Sequence, residues 1–366
     1  MKYINKKRIL FVSGSTAGHV WPAVWVAKYL QTQKPDTECY FYISGSSIEK
    51  KILKDQNFKY TKVFSGKWRK YFSLLNFIDI FKNIFGFFQS ILLLVIYRPR
   101  VVFIKGGFLG VPIAFASTIL GIPYVNHESD AQIGLANKLI SKHSKKIYVA
   151  FPKYLYGLSS QIADKTESVG IPLASEFSIS DKLNKDINTI LFLGGSLGSK
   201  KINDNLKPIL KDLLVKYKII HICGQNNFQE FQKIKSNLNK EYQDKYNIYG
   251  FVESGLSGIM KSSDLVISRA GATTVFELAS LGKPVIFIPL GKKVSRGDQI
   301  HNCKFIQGQN AGVVINDVDL TSEKLQREIL NLANNPDKIQ SLSENIQRLV
   351  TEKSEQKITN YLIKYL

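Results

Sequence analysis

The residues best placed to do chemistry sit in short glycine-rich turns that follow apolar runs. ILFVS at residues 9–13 leads into Gly14-Ser15-Thr16-Ala17-Gly18-His19, where a helical pattern begins. Small side chains let a ligand approach the backbone, and the unpaired N–H groups of a helix start attract an anion. His19 stands at that start, where an imidazole of ordinary pKa, ~6.5, can accept a proton near neutral pH. The competing role for it is to cap the helix. A second turn, Lys105-Gly106-Gly107-Phe108, follows VVFI, and a third, Gly194-Gly195-Ser196-Leu197-Gly198, follows ILFL. Each alone is a weak signal. Three of them at the carboxyl ends of strands, where open α/β sheets bind ligands, point to a phosphorylated ligand.

The run Ser268-Arg269-Ala270-Gly271-Ala272-Thr273-Thr274-Val275-Phe276-Glu277 has two readings. Thr274 and Glu277 have the spacing of a capping box. Alternatively, the helix start faces a diphosphate and the Glu277 carboxylate accepts from vicinal hydroxyls such as those of a ribose. His127-Glu128-Ser129-Asp130 ends another apolar run, and Asp298, Gln299 and Asn302 add polar groups on a late helix. Asp317-Val318-Asp319 has the form of a metal-nucleotide motif, but it precedes the helical pattern TSEKLQREI and reads as a capping loop. No His/Cys cluster suggests a metal, and no Ser/His/Asp arrangement stands out. The first turn also lacks the G-x-G-x-x-G spacing of a dinucleotide site, and the next strand ends in YFYISGS without a ribose-binding acid.

The elements that must position these turns alternate. Strand candidates at 8–13, 39–44, 60–64, 101–105, 123–127 and 146–150 are separated by helical patterns. So are those at 189–194, 218–223, 248–251, 265–268, 284–289 and 312–315. That alternation predicts parallel sheets of βαβ units. ILFVSGSTAGH and ILFLGGSLGSK open the two halves alike, which predicts two Rossmann-like α/β domains, 1–170 and 171–350. A last helix at 351–366 could pack on either one.

A chain of 366 residues suits two such domains, and 44% apolar against 22% charged residues gives both a core. Fifty Lys and Arg against 29 Asp and Glu, a formal charge of +21, suggest an anionic partner. Cys39, Cys223 and Cys303 are widely spaced, which argues against disulfides and zinc and for a reducing compartment. The apolar run after the basic N-terminus is too short for a signal peptide. The greasiest stretch, 72–97, is charge-free only over 83–97, shorter than the ~20 residues of a spanning helix. It predicts either a helix buried in the first domain or one whose outer face enters a membrane surface. Lys67, Arg69, Lys70, Lys82, Arg98 and Arg100 flank it, suited to an anionic leaflet.

Taken together, GSTAGHVWPA, KGGF, HESDAQIGLANK, GGSLGSKKIN, RAGATTVFE and DQIHN resemble, in order and spacing, the MurG family of peptidoglycan N-acetylglucosaminyltransferases. The resemblance runs from Ile9 to the C-terminal helices. It implies a GT-B type fold, two Rossmann-like domains facing across a cleft. It also implies inverting transfer of N-acetylglucosamine from UDP-N-acetylglucosamine to the C4 hydroxyl of the muramyl sugar of lipid I, giving lipid II for the cell wall on which shape and division depend. No cofactor or metal is implied. The partners would be the UDP-sugar, lipid I and the anionic cytoplasmic face of the cell membrane, where the enzyme would sit peripherally, and not nucleic acid.

By position in the motifs, His19 is the implied general base, with Glu128 a second catalytic candidate. Donor contacts would come from Thr16, Ala17, Gly18, Asp130, Ser196, the Val252 backbone, Ala272, Thr273, Thr274, Glu277 and Gln299. Gly14, Gly18, Gly106 and Gly107 would face the acceptor diphosphate. The chain departs from the usual family pattern at Ser15 and Ala17, at HESD in place of HEQN, at Asp298, and at Ala174, where an Arg is common. Three other functions remain distinguishable. A related UDP-sugar transferase with another acceptor would differ in a donor panel. A nicotinamide oxidoreductase would respond to its cofactor, and a nucleic-acid-binding protein would bind DNA with a steep salt dependence.

Overall fold

Among the described residues thirteen short strands form two wholly parallel sheets. The computed structural model describes residues 7–14, 16–66, 75–177, 186–195, 198–252, 254–291, 297–351 and 353–366, with side chains from residue 79 onward in the helix that starts at Leu75. The first sheet holds β1 (Arg8–Ser13), β2 (Glu38–Ile43), β3 (Lys59–Lys62), β4 (Val101–Lys105), β5 (Tyr124–Glu128), β6 (Lys146–Val149) and β7 (Thr166–Ser168), in the order β3-β2-β1-β4-β5-β6-β7. The second holds β8 (Thr189–Leu193), β9 (Lys218–Ile222), β10 (Tyr246–Tyr249), β11 (Leu265–Ser268), β12 (Val285–Phe287) and β13 (Val313–Val314), in the order β10-β9-β8-β11-β12-β13. Sequence patterning misses only β7, a three-residue edge strand reading TES with no apolar alternation.

The apolar runs are continuous because both faces of each sheet are covered. In β1, Ile9 and Phe11 join a core with the helix Ala17–Gln33, while Leu10 and Val12 join one with the helix Gly110–Ile119. The chain divides into two compact units, Met1–Leu173 with Thr351–Leu366, and Ala174–Val350. The last helix, Ser354–Leu362, belongs to the first unit. Ile358 and Leu362, one turn apart, are fully buried beside Val20 and Leu30 of the helix Ala17–Gln33, and the Ser354 hydroxyl donates to the Val169 carbonyl. All three cysteines are free and buried.

The helix Leu75–Tyr97 corrects two expectations. It runs for 23 residues, and its segment Asp79–Tyr97 is long and apolar enough, by length and composition, to cross a membrane. Counting the charge-free stretch alone made it too short. Lys82, which ended that count, pairs with Asp79 at 3.5 Å one turn away inside the helix. Nor is it mostly buried. Ser90 and Leu94 are fully buried, and Phe87, Ile91 and Leu93 pack on the first sheet's core. Phe81, Ile84, Phe85, Phe88, Leu92, Val95 and Ile96 form a stripe along the outer side, with Phe81 71% and Ile96 65% exposed.

Candidate active site

Strand order reverses between β1 and β4 in the first sheet and between β8 and β11 in the second. Neighbouring strands there send their chains in opposite directions and leave a crevice at their carboxyl ends, the usual ligand position in open α/β sheets. In each unit the glycine-rich turns fall at this point.

In the first unit the turn after β1 runs through Gly14 and Thr16 into the helix Ala17–Gln33. Thr16 occupies the cap position without a side-chain capping hydrogen bond, and Ala17 and Gly18 form the half-buried first turn. His19 is the third helical residue, and its ring lies across the two glycine turns. A Cβ on Gly14 would come within 3.3 Å of its Cδ2, and one on Gly106 within 3.7 Å of its Cε1. Gly106 and Gly107 have φ of 64° and 83°, the left-handed region that glycine enters without a Cβ clash, and a Cβ on Gly107 would lie 3.5 Å from the Gly14 Cα. The structure therefore brings Gly14, Gly106, Gly107 and His19 together.

The loop after β5 is tied down by its own side chains. Glu128, 5% exposed, accepts at Oε1 from the N–H groups of Ser129 (2.8 Å) and Asp130 (3.2 Å). At Oε2 it accepts from the Gly134 N–H and the Asn137 amide, both at 2.8 Å. Four donors occupy both oxygens of this carboxylate and anchor the loop that follows β5. His127 donates through Nε2 to the Gly170 carbonyl at 2.8 Å, and burial followed by the Lys105 charge holds its pKa well below the usual value. Asp130 is half-buried, and its carbonyl accepts from Tyr156 at 2.9 Å.

In the second unit the helix Ala272–Ser280 starts three residues earlier than a capping box on Thr274 requires. Its N-cap is Gly271, with no side-chain cap. Thr274 and Glu277 therefore sit inside the helix, and that capping reading does not hold. The first-turn N–H groups of Ala272, Thr273 and Thr274 lack intrahelical carbonyls and can bind an anion. Glu277 lies in the helix's second turn. Desolvation, with Glu176 adding to it, raises its carboxyl to about 8, although the residue keeps part of its surface open.

Two further clamps were not legible in the sequence. Arg269, at the end of β11, donates to Ser199 Oγ (3.0 Å), the Ile288 carbonyl (3.0 Å) and Asp317 Oδ1 (2.7 Å). Lys201 reaches Asp317 Oδ2 at 3.1 Å, so Asp317 joins three strand-end loops, while Thr321 caps the following helix. The Arg and Lys hold the Asp317 carboxyl below its ordinary value against the opposing effect of burial. Gln299 accepts at Oε1 from the Leu290 N–H at 2.8 Å, and Asn302 donates to the Ala270 carbonyl at 3.0 Å. Both help fix the loops around the helix start. Val252 is half-buried beyond β10, and Ser196 lies outside the described residues. Among the described residues no group of three His, Cys, Asp or Glu side chains could hold a metal ion.

Comparison with known proteins agrees with this architecture. Residues 9–149 match the glycosyltransferase family 28 N-terminal domain, and residues 189–359 match the family 28 C-terminal domain. The UDP-N-acetylglucosamine–N-acetylmuramyl-(pentapeptide) pyrophosphoryl-undecaprenol N-acetylglucosamine transferase of Clostridium kluyveri is 37% identical over 334 residues, covering 89% of this chain and 91% of its own. The same-named protein of Clostridium botulinum is 38% identical over 339 residues, with 90% and 92% covered. The crystal structure of Acinetobacter baumannii MurG superposes with a TM-score of 0.78 at 26% identity, covering 98% of this chain and all of that one. Both units thus have the Rossmann-like form of GT-B glycosyltransferases. Within that class, the chain belongs to the MurG family of N-acetylglucosamine transferases.

Proposed function

We propose that the protein transfers N-acetylglucosamine from UDP-N-acetylglucosamine to lipid I, forming lipid II for peptidoglycan. The observation that carries this reading is a glycine-rich, anion-directed turn at each sheet's point of strand reversal, in a chain of this family. The C4 hydroxyl of the muramyl sugar attacks the donor's anomeric carbon. The bond from that carbon to the phosphate oxygen breaks, UDP departs with the electron pair, and the configuration inverts. His19 takes the hydroxyl proton. Gly14, Gly18, Gly106 and Gly107 receive the acceptor diphosphate, and Thr16, Ala17, Gly18 and Asp130 contact the donor. On the second unit, Ala272, Thr273 and Thr274 direct N–H groups at the donor diphosphate and stabilise the charge that grows on the leaving UDP. Ser196 adds to them, the Val252 backbone meets the uracil, Glu277 the ribose hydroxyls, and Gln299 the sugar.

The test is UDP release by the purified protein with UDP-N-acetylglucosamine and a short-chain lipid I analogue. Acceptor-dependent release, faster than with UDP-glucose or UDP-N-acetylgalactosamine, is the expected result. UDP binding without acceptor-dependent release would instead indicate a family member with another acceptor.

The exposed stripe of the helix Leu75–Tyr97 supports peripheral docking on the anionic cytoplasmic face of the membrane, where lipid I is anchored. Its inner side is held by the protein core, so only the outer side is available to lipid. Exposed Arg98 and Arg100 flank its C-terminal end. Phe85→Glu and Phe88→Glu each remove an apolar side chain from the lipid-facing side. Each is expected to weaken binding to anionic vesicles by about tenfold or more without lowering the melting temperature. Unchanged vesicle sedimentation of the double variant would reject this docking face.

A further inference from the structure

Beneath the Gly106 turn runs a row of polar side chains that the proposed chemistry leaves unused. Ser13 ends β1 and is in register with Lys105, which ends β4. His127 lies one step beyond the registered pair Ile104 and Asn126, on the other side of Lys105. All three are fully buried. The Lys105 ammonium donates to Ser129 Oγ. Among the described residues Ser13 Oγ and His127 Nδ1 have no hydrogen-bond partner. With His127 Nε2 donating to Gly170, its Nδ1 carries a lone pair. Burying a lysine is costly, and the rest of its strand, VVFI, is apolar, so a Leu or Met would fill the position at lower cost. The electrostatic surroundings supply the reason for a charge here. Glu128 at the end of β5 and Asp130 on the loop after it carry two negative charges beside the turn, and both favour the Lys105 ammonium.

We propose that Lys105 is a positioning residue for the acceptor, a buried counter-charge that offsets the Glu128 and Asp130 carboxylates so that an anionic diphosphate can approach Gly106 and Gly107. This deepens the function proposed above and rests on its assignment of that turn to the acceptor diphosphate. Without the ammonium, two carboxylates in a low-dielectric wall would stand near an incoming anion, and like charges there repel strongly. Desolvation lowers the Lys105 pKa to about 8, opposed by Glu128 and then Asp130. The charge is present below that value and is lost as pH rises through it. The charged and titratable groups around it are His127 and Glu128 on β5, Asp130 on the loop and, from the helix Ala17–Gln33, His19, whose charge bears on His127. Of these, His127 is held neutral by burial.

The test is steady-state UDP release by the full chain with UDP-N-acetylglucosamine and the lipid I analogue, from neutral to alkaline pH. Lys105→Met keeps the length and removes the charge. It is expected to raise the acceptor KM about 30-fold or more while kcat and the donor KM stay near wild type. The wild type is expected to lose kcat/KM for acceptor above pH about 8, and Lys105→Met should remove that fall. In an Asp130→Asn background the same substitution should cost less than about fivefold, because one of the two carboxylates it offsets is gone. Equal losses in both backgrounds, a loss confined to kcat, or an unchanged alkaline limb would overturn the proposal. Should Lys105→Met fail to fold, Ser129→Ala removes the acceptor of the ammonium and is read by the same KM and pH limb. A wild-type protein that ignores the lipid I analogue overturns the proposed function itself, a result distinct from any of these.

Discussion

His19→Ala is expected to lower kcat by about 10²-fold or more while UDP affinity stays near that of the wild type. The ring lies against Gly14 and Gly106 in the first unit. The groups assigned to UDP are the helix start at Ala272 and the Glu277 carboxylate in the second. Removing a proton acceptor that acts only as the sugar hydroxyl attacks lowers kcat and kcat/KM together. Removing a ground-state contact raises KM instead. Titration of each protein with UDP, followed calorimetrically, separates the two. A collapse of UDP affinity would make His19 a donor ligand and return the proton to another group.

Glu128→Gln tests the other catalytic candidate and is expected to act on folding as well as on rate. The native carboxylate accepts from four donors, two at each oxygen. A glutamine has one carbonyl oxygen, so its NH₂ group must face either the Ser129 and Asp130 N–H groups or the Gly134 and Asn137 donors. Two buried donors lose their acceptor and meet another donor, at a cost of about 2–4 kcal/mol. Thermal unfolding should show a fall of several degrees, with activity reduced because the loop carrying Asp130 loses its anchor. Those hydrogen bonds predict the same fall whatever the chemical role of Glu128; were it also the base, kcat would drop by about 10²-fold or more at temperatures where the variant is fully folded. The combination of the two readouts therefore assigns its role.

Much of this protein was written locally. Twelve of the thirteen strands among the described residues were legible in the sequence, most of them as apolar runs ending in turn residues, because a strand with both faces covered has to be apolar throughout; the edge strand β3, KYTK, is polar. The helix starts at Ala17 and Ala272 follow from small residues after such runs. The motif order from GSTAGHVWPA to DQIHN was enough to identify the family. What the sequence could not show is which strand ends become neighbours, because strand order depends on pairing between residues far apart in the chain. Only the reversal between β1 and β4 places Gly14 beside Gly107. For the same reason Glu128 read as a free acid until its loop folded back on it. Asp317 read as a simple cap until Arg269, 48 residues earlier, reached it. Lys105 reads as an ordinary strand-end lysine, yet lies fully buried beside two carboxylates. The outer stripe of the helix Leu75–Tyr97 is equally hidden in the sequence, since apolar residues surround that helix. Which of them face out is set by the core that its inner side packs against. The sequence by itself determined the elements, the turns and the family. The tertiary structure decided which polar groups are already occupied, because a hydrogen-bond partner or a counter-charge distant in sequence exists only once the sheet is assembled.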